Sequence, residues 1–176
     1  MNLRMVNPQV YYAESGLGAA DGRMVDFLVE QARANGSGRC RVCFHPGPES
    51  LLHGMLIAHL ADVYVPPHFH VDKDESLQVV SGAASLVVFD GQGGVSDVLP
   101  LGEPGTGRAF SCRIPAGVCH SLIFESDVFV FQEAVTGPFR AGNMVVPAWA
   151  PGADDEAGAK AFVGQLITSI KERGAA

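Results

Sequence analysis

Two histidines stand two residues apart in Pro66-Pro67-His68-Phe69-His70. In an extended strand, side chains at i and i+2 leave the same face, so both imidazoles can converge on one ion. Glu75 follows five residues after His70, far enough for the chain to turn and offer a carboxylate from the next strand. Gly82 lies seven residues beyond Glu75. A third imidazole, His120, closes the run Pro115-Ala116-Gly117-Val118-Cys119-His120, just after a tight Pro/Gly turn. Three neutral imidazoles and one carboxylate make a mixed nitrogen and oxygen site suited to one divalent transition metal: iron(II), manganese, nickel, cobalt or zinc. A structural zinc site is more often rich in thiolate. Such a set leaves one or two coordination positions free, so the ion can polarise a substrate oxygen or activate dioxygen.

Other reactive side chains have plainer readings. Cys40-x2-Cys43 has the spacing of half a zinc site, but the remaining thiols, Cys112 and Cys119, lie on or beside predicted strands at a different spacing. All four cysteines are therefore read as mostly structural. Cys119 neighbours His120 in a strand, and alternation turns it away from the ion. His45, His53 and His59 fit none of the ligand spacings and are read as structural. Glu133 and Arg113 are charges on apolar strands, which is costly unless the group is paired or faces a wet cavity. Both are candidates for the pocket lining, with an outward position the alternative for each.

The elements that must position these groups are short strands. Met55–Leu60, Leu77–Val80, Ala84–Asp90, Ala109–Ile114, Ser121–Phe124 and Val128–Glu133 are rich in β-branched and aromatic residues. Asp90-Gly91-Gln92-Gly93-Gly94 marks a turn between two of them. Val10-Tyr11-Tyr12 and the run from Cys40 to His45 are candidates for further short strands. Helical spacing of Met24, Phe27, Leu28 and Ala32 predicts an N-terminal helix over 22–35, with Gly36 as its C-terminal cap. A second helix over 154–173 starts at Asp154 or Asp155 and carries a stripe of Ala159, Phe162, Val163, Leu166, Ile167 and Ile170. The expectation is an all-β barrel, core about 39–150, flanked by N- and C-terminal α-helices, with loops 102–107 and 137–143 at its mouth.

A chain of 176 residues with 47% hydrophobic and 18% charged residues suits one globular domain over 1–176. The net charge of −7, with no run of Lys or Arg, gives nucleic acid and anionic membranes little to bind. The first residues lack the apolar stretch of a signal peptide, and nowhere do about 18 apolar residues follow one another. The expected location is cytoplasmic, where the cysteines stay reduced.

His68-x-His70-x4-Glu75-x6-Gly82 together with Pro115-x-Gly117-x2-His120 resembles the paired motifs of the cupin superfamily. That resemblance implies a small antiparallel jelly-roll barrel with the metal inside, held by His68, His70, Glu75 and His120. The glycines that usually open the two motifs are Asp62 and Ala109 here, and the closing Asn is Phe124. Further stretches, among them Cys43-Phe44-His45, Met55-Leu56-Ile57-Ala58, Glu133-x3-Gly137-Pro138-Phe139 and Trp149-Ala150-Pro151, resemble the WbuC-type cupin family, over most of residues 39–151. The family implies a bacterial metalloprotein of surface-polysaccharide or sugar metabolism. The expected function is an enzyme, a metal-dependent isomerase or oxygenase, acting on a small sugar-derived or carbonyl metabolite. A non-catalytic binding or sensing cupin and a metal-dependent dioxygenase are the alternatives. A homodimer is expected from an exposed N-terminal segment bearing Tyr11 and Tyr12 and from the sheet edges such barrels cover.

Overall fold

Apolar residues recur at every second position along two nine-residue strands, β4 (Leu52–Leu60) and β11 (Val128–Thr136), and these build the centre of the main sheet. In the computed structural model, which describes residues 2–14 and 16–174, they pair antiparallel from Leu52↔Thr136 to Leu60↔Val128. On the other side of β11 lies β6 (Glu75–Ser81), followed by β9 (Ser111–Ile114). Beyond β4 come β3 (Arg39–Cys43), β2 (Val10–Ala13) and the edge strand β1 (Leu3–Asn7), giving seven strands in the order β1-β2-β3-β4-β11-β6-β9. In this sheet β2 and β3 run parallel, and parallel neighbours need a crossover. Helix α1 (Gly22–Ala34) supplies it.

A second sheet, ordered β10 (His120–Phe124), β7 (Ala83–Phe89) and β8 (Val95–Gly102), faces the first. A short antiparallel pair, β5 (Phe69–His70) and β12 (Met144–Val145), forms a separate two-stranded sheet. Inward residues of both sheets form one core, with Phe129, Ala84 and Leu101 fully buried. The outer face of the main sheet is covered by α1, whose Leu28 and Ala32 pack on Cys40, Val42, Leu56 and Ala58. The outer face of the smaller sheet is covered by α2 (Glu156–Gly174), through Leu166 against Val87, Phe89 and Ile123. The β core flanked by one helix on each side thus follows from strand and helix periodicity.

The helix ends are built as their sequences suggest. Asp21 accepts a hydrogen bond from the Met24 N–H at 3.2 Å, and Gly36, past the Asn35 cap, takes φ +71°. Asp155 does for α2 what Asp21 does for α1, accepting from the Gly158 N–H at 2.9 Å. Among the described residues, no helix is long and apolar enough to cross a membrane.

Several expectations are corrected. Tyr11 is not exposed: it is 7% accessible, packs edge-on against Phe27 and donates to Gln31 Oε1 at 3.0 Å. On β1 the N-terminal segment exposes Met5 and Val6. Ile167 falls on the open side of α2. Strand β8 was hidden by Asp97 and Pro100, which an edge strand tolerates because one side of it needs no ladder bonds. The loop 102–107 is not at the cavity mouth. Glu103 in it accepts from the Gly82 N–H at 2.9 Å, at the end of β6 away from Glu75.

Gly82 makes the turn from β6 into β7 with φ +88°. A Cβ there would overlap the Val128 carbonyl oxygen and lie 2.5 Å from Ser126 Oγ. Gly82→Ala is therefore expected to destabilise the fold by about 2 kcal/mol, from the left-handed backbone and the overlap together. Urea unfolding measures it, and a loss below about 0.5 kcal/mol would mean that the turn relaxes freely.

Candidate metal centre

The candidate ligands arrive from both sheets. His68 lies just before β5 and forms a reciprocal backbone bridge with His120 at the start of β10: His68 N–H to His120 O at 3.0 Å and His120 N–H to His68 O at 2.9 Å. His70 ends β5, Glu75 opens β6, and the Gly117 N–H of the Pro/Gly turn donates to His70 O at 2.7 Å. This backbone lacing fixes where each side chain leaves the chain.

Ring nitrogens of His68 and His120 and a carboxylate oxygen of Glu75 all lie within 4.8 Å of one another. His70 stands outside that group but touches it, with Nε2 2.8 Å from Glu75 Oε1. Glu75 Oε2 is 3.2 Å from His120 Nε2. Backbone carbonyls hold the far side of two rings: Pro66 O accepts from His68 Nδ1 at 2.9 Å and Val118 O from His120 Nδ1 at 3.0 Å. A proton on Nδ1 leaves the Nε2 lone pair directed inward, as metal-ligating histidines are usually held. Burial pushes the His68 pKa down to about 4, so its ring is neutral near pH 7. Burial opposes charge on Glu75 as well, but hydrogen bonds from His120 and His70 outweigh it and hold the carboxyl well below the usual carboxylate range.

These residues fit a metal ion. His120 has an acceptor at each ring nitrogen, Val118 O and Glu75 Oε2, so a cation has to lie between Nε2 and the carboxylate, either a proton or a metal. His70 Nδ1 is buried without a partner among the described residues. Neutral nitrogens and an ionised oxygen are the donor set that borderline divalent ions take.

The two pocket candidates part company. Glu133 lines the cavity that contains the cluster, and burial, then repulsion from Glu75, raises its pKa to about 7. Arg113 points outward, because Cys112 and Ile114 are the inward residues of β9. Its Nη2 donates to Asp74 Oδ2 at 2.6 Å, and Asp74 Oδ1 accepts from the Ala116 N–H at 2.9 Å. Arg113 thus ties the residue preceding Glu75 to the turn preceding His120 without facing the site.

The cysteines make no second centre. Cys40 packs under α1 while Cys43 faces the inner core, so the pair straddles the sheet, and burial pushes the Cys40 thiol up to about 11. Sequence reasoning missed more at the cavity, whose volume is about 680 Å³. His45, His53 and His59 also line it, outside the metal-ligand group, with His45 and His53 stacked at 4.1 Å. Lys73 lines it too, buried and donating to the Pro138 carbonyl. The signal was strand parity: His53-x-Met55-x-Ile57-x-His59 places both β4 histidines on one face.

The solved structure of CapF with the inhibitor 3-isopropenyl-tropolone is similar over 62% of this chain and 31% of the CapF chain, with a TM-score of 0.50 and 17% identity. The fold is a cupin jelly roll. Similarity to oxalate oxidase in complex with the substrate analogue glycolate covers 62% of this chain and 55% of that one, at TM-score 0.48 and 13% identity. For protein SO0799 from Shewanella oneidensis the shares are 58% and 65%, at TM-score 0.47 and 12% identity. The chain therefore spans less than two thirds of each of these three chains. The family model for a domain of unknown function, DUF6016, matches residues 20–101, which include His68, His70 and Glu75 but not His120. No curated protein sequence matches the chain.

Proposed function

We propose that this cupin binds one divalent transition metal through His68, His70, Glu75 and His120 and uses it as an enzyme on a small polar, sugar-derived or carbonyl metabolite. The observation that carries the reading is the meeting of two inward imidazoles and an ionised carboxylate in a cavity of about 680 Å³, with His70 on the other carboxylate oxygen. Cavities of that size take small metabolites. The bound ion would supply Lewis acidity to a substrate oxygen, or a site for dioxygen, so isomerisation and oxygenation are the reaction classes. The chain's own part is positional. Pro66 O and Val118 O orient the imidazoles, the Asp74–Arg113 pair steadies the approach to Glu75, and the aromatic and aliphatic walls restrict water.

The stretches shared with the WbuC-type cupins support a place in bacterial surface-polysaccharide or sugar metabolism. Four free cysteines suit a cytoplasmic setting, and the single core shared by both sheets suits one domain over 1–176. A homodimer through the open β1 edge, where Met5 and Val6 are exposed, belongs to the same reading. Elemental analysis of protein purified without chelator tests it. The expected result is one ion per chain, removable by EDTA with a fall in Tm, since an ion that binds only the folded state stabilises it. Metal-free protein that takes up none of iron(II), manganese, nickel, cobalt and zinc would overturn the proposal.

A further inference from the structure

Strand β3 alternates two arginines with apolar residues, and its two faces have separate tasks. Cys40 and Val42 are sealed under α1. Arg39 and Arg41 turn the other way, into the cavity that holds the histidine and glutamate cluster, opposite His59 and Ile57 of β4. Both are exposed through the cavity's open side, and neither has a side-chain hydrogen bond or an ion pair among the described residues. Arg23, Arg108 and Arg113 each hold a carboxylate at 2.6–2.7 Å, whereas Arg33 on α1, like Arg39 and Arg41, has no such partner among the described residues. Counting Lys73 and Arg140, four of the twelve Lys and Arg residues line this cavity, in a chain of net charge −7. Lys73 is tied to the Pro138 carbonyl, which leaves Arg39 and Arg41 as the cavity guanidinium groups on a strand without a carboxylate partner among the described residues.

His59 adds a separate observation. Its Nδ1 is buried without a partner, and the ring, pushed down to about 4 by burial, is neutral. A buried unpaired N–H costs more than a buried lone pair, which favours the proton on Nε2 of this cavity-lining ring. Arg39, Arg41 and His59 then present a wall of donors, Glu133 in the same cavity makes no ion pair with either arginine among the described residues, and unpaired guanidinium donors recognise an anion.

The wall is set back from the cluster. Glu75 lies level with Val135 of β11, whereas Arg41 lies level with Ile57 and, across β4, with Phe131. Four residues of strand separate the two levels, about 13 Å along the strand direction, part of which the arginine side chain covers. A two-carbon acid cannot reach from one to the other, whereas a skeleton of sugar size can.

We infer that the cavity binds an acidic, sugar-sized metabolite whose carboxylate or phosphate rests on Arg41 and Arg39, beside His59, while its hydroxyl or carbonyl oxygens face the His68, Glu75 and His120 cluster. The second half rests on the proposed metal function, and the first half does not. Guanidinium groups are the side chains best shaped for such oxyanions, which they bind in bidentate fashion.

Calorimetric titration of the metal-loaded protein with D-glucuronate, D-glucose 6-phosphate and uncharged D-glucose tests the inference, with metal content measured for every sample. At least one of the two acids is expected to bind and glucose not to. The preferred acid distinguishes carboxylate from phosphate. In R39Q/R41Q that binding should weaken about tenfold or more, a change of about 1.4 kcal/mol, with the metal content unchanged. R41K should keep only part of it, because an ammonium cannot make the paired contact. Three results would each overturn the inference: no acid binding at millimolar concentration, glucose binding as tight as that of the acids, or undiminished binding by R39Q/R41Q. Should the wild type prove metal-free, the proposed function fails by itself, and inorganic phosphate binding by the wild type against R39Q/R41Q still decides the arginine wall.

Discussion

His120→Ala is expected to weaken metal binding by about 100-fold or more, beyond the 10- to 100-fold typical of removing a group that merely supports a ligand. The loss has two sources. One imidazole lone pair disappears, and Glu75 Oε2 loses the ring that stands 3.2 Å away and helps keep it ionised. His68→Ala and Glu75→Gln should act in the same direction. His53→Ala is the control, since His53 lines the cavity outside the metal-ligand group and bonds the Pro48 carbonyl at 3.1 Å. Far-UV circular dichroism should stay close to wild type in all of them, because the core between the sheets is apolar. Full metal occupancy in both the His68 and the His120 variants would exclude the site, as two imidazoles from different strands cannot both be dispensable.

Phe129→Ala should cost about 3–5 kcal/mol of stability, the usual range for a buried aromatic cut back to a methyl group. Phe129 is 0% exposed on the central strand β11, with ring centroids 5.3 Å from Phe131 and 5.8 Å from Phe124. Phe131 shares its strand while Phe124 comes from the opposite sheet, so the hole would open between two layers that backbone ladders hold in place. Urea denaturation with an unchanged m-value reads the loss directly. A cost near 1 kcal/mol would mean that the layers close over the gap.

What could be read from sequence was whatever depends on short spacing. His68 and His70 at i and i+2, Glu75 one turn further and His120 after a Pro/Gly turn could be picked out as a set, and the chain does bring three of them within 4.8 Å. The helices announced themselves by period, the first also by Gly36 at its end and the second by Asp155 at its start. Properties that depend on register could not be read. Glu133 and Arg113 are alike in being charges on apolar strands. Only the pairing of β9 with β6 shows that Ile114 is the inward residue, which sends Arg113 out to Asp74. The same holds for Arg39 and Arg41: alternation on β3 is plain, but which face meets the cavity depends on α1 covering the other one. Strands β1 and β8 escaped because edge strands can carry polar residues and proline at no cost to a ladder.

The reciprocal backbone bridge between His68 and His120 ties the approach to β5 to the start of β10. The two rings are thus mortised to one another through their own main chains, and a slip of either strand by one residue would turn an imidazole out of the cavity. Misassembly of this seam and loss of the candidate metal centre are therefore a single event.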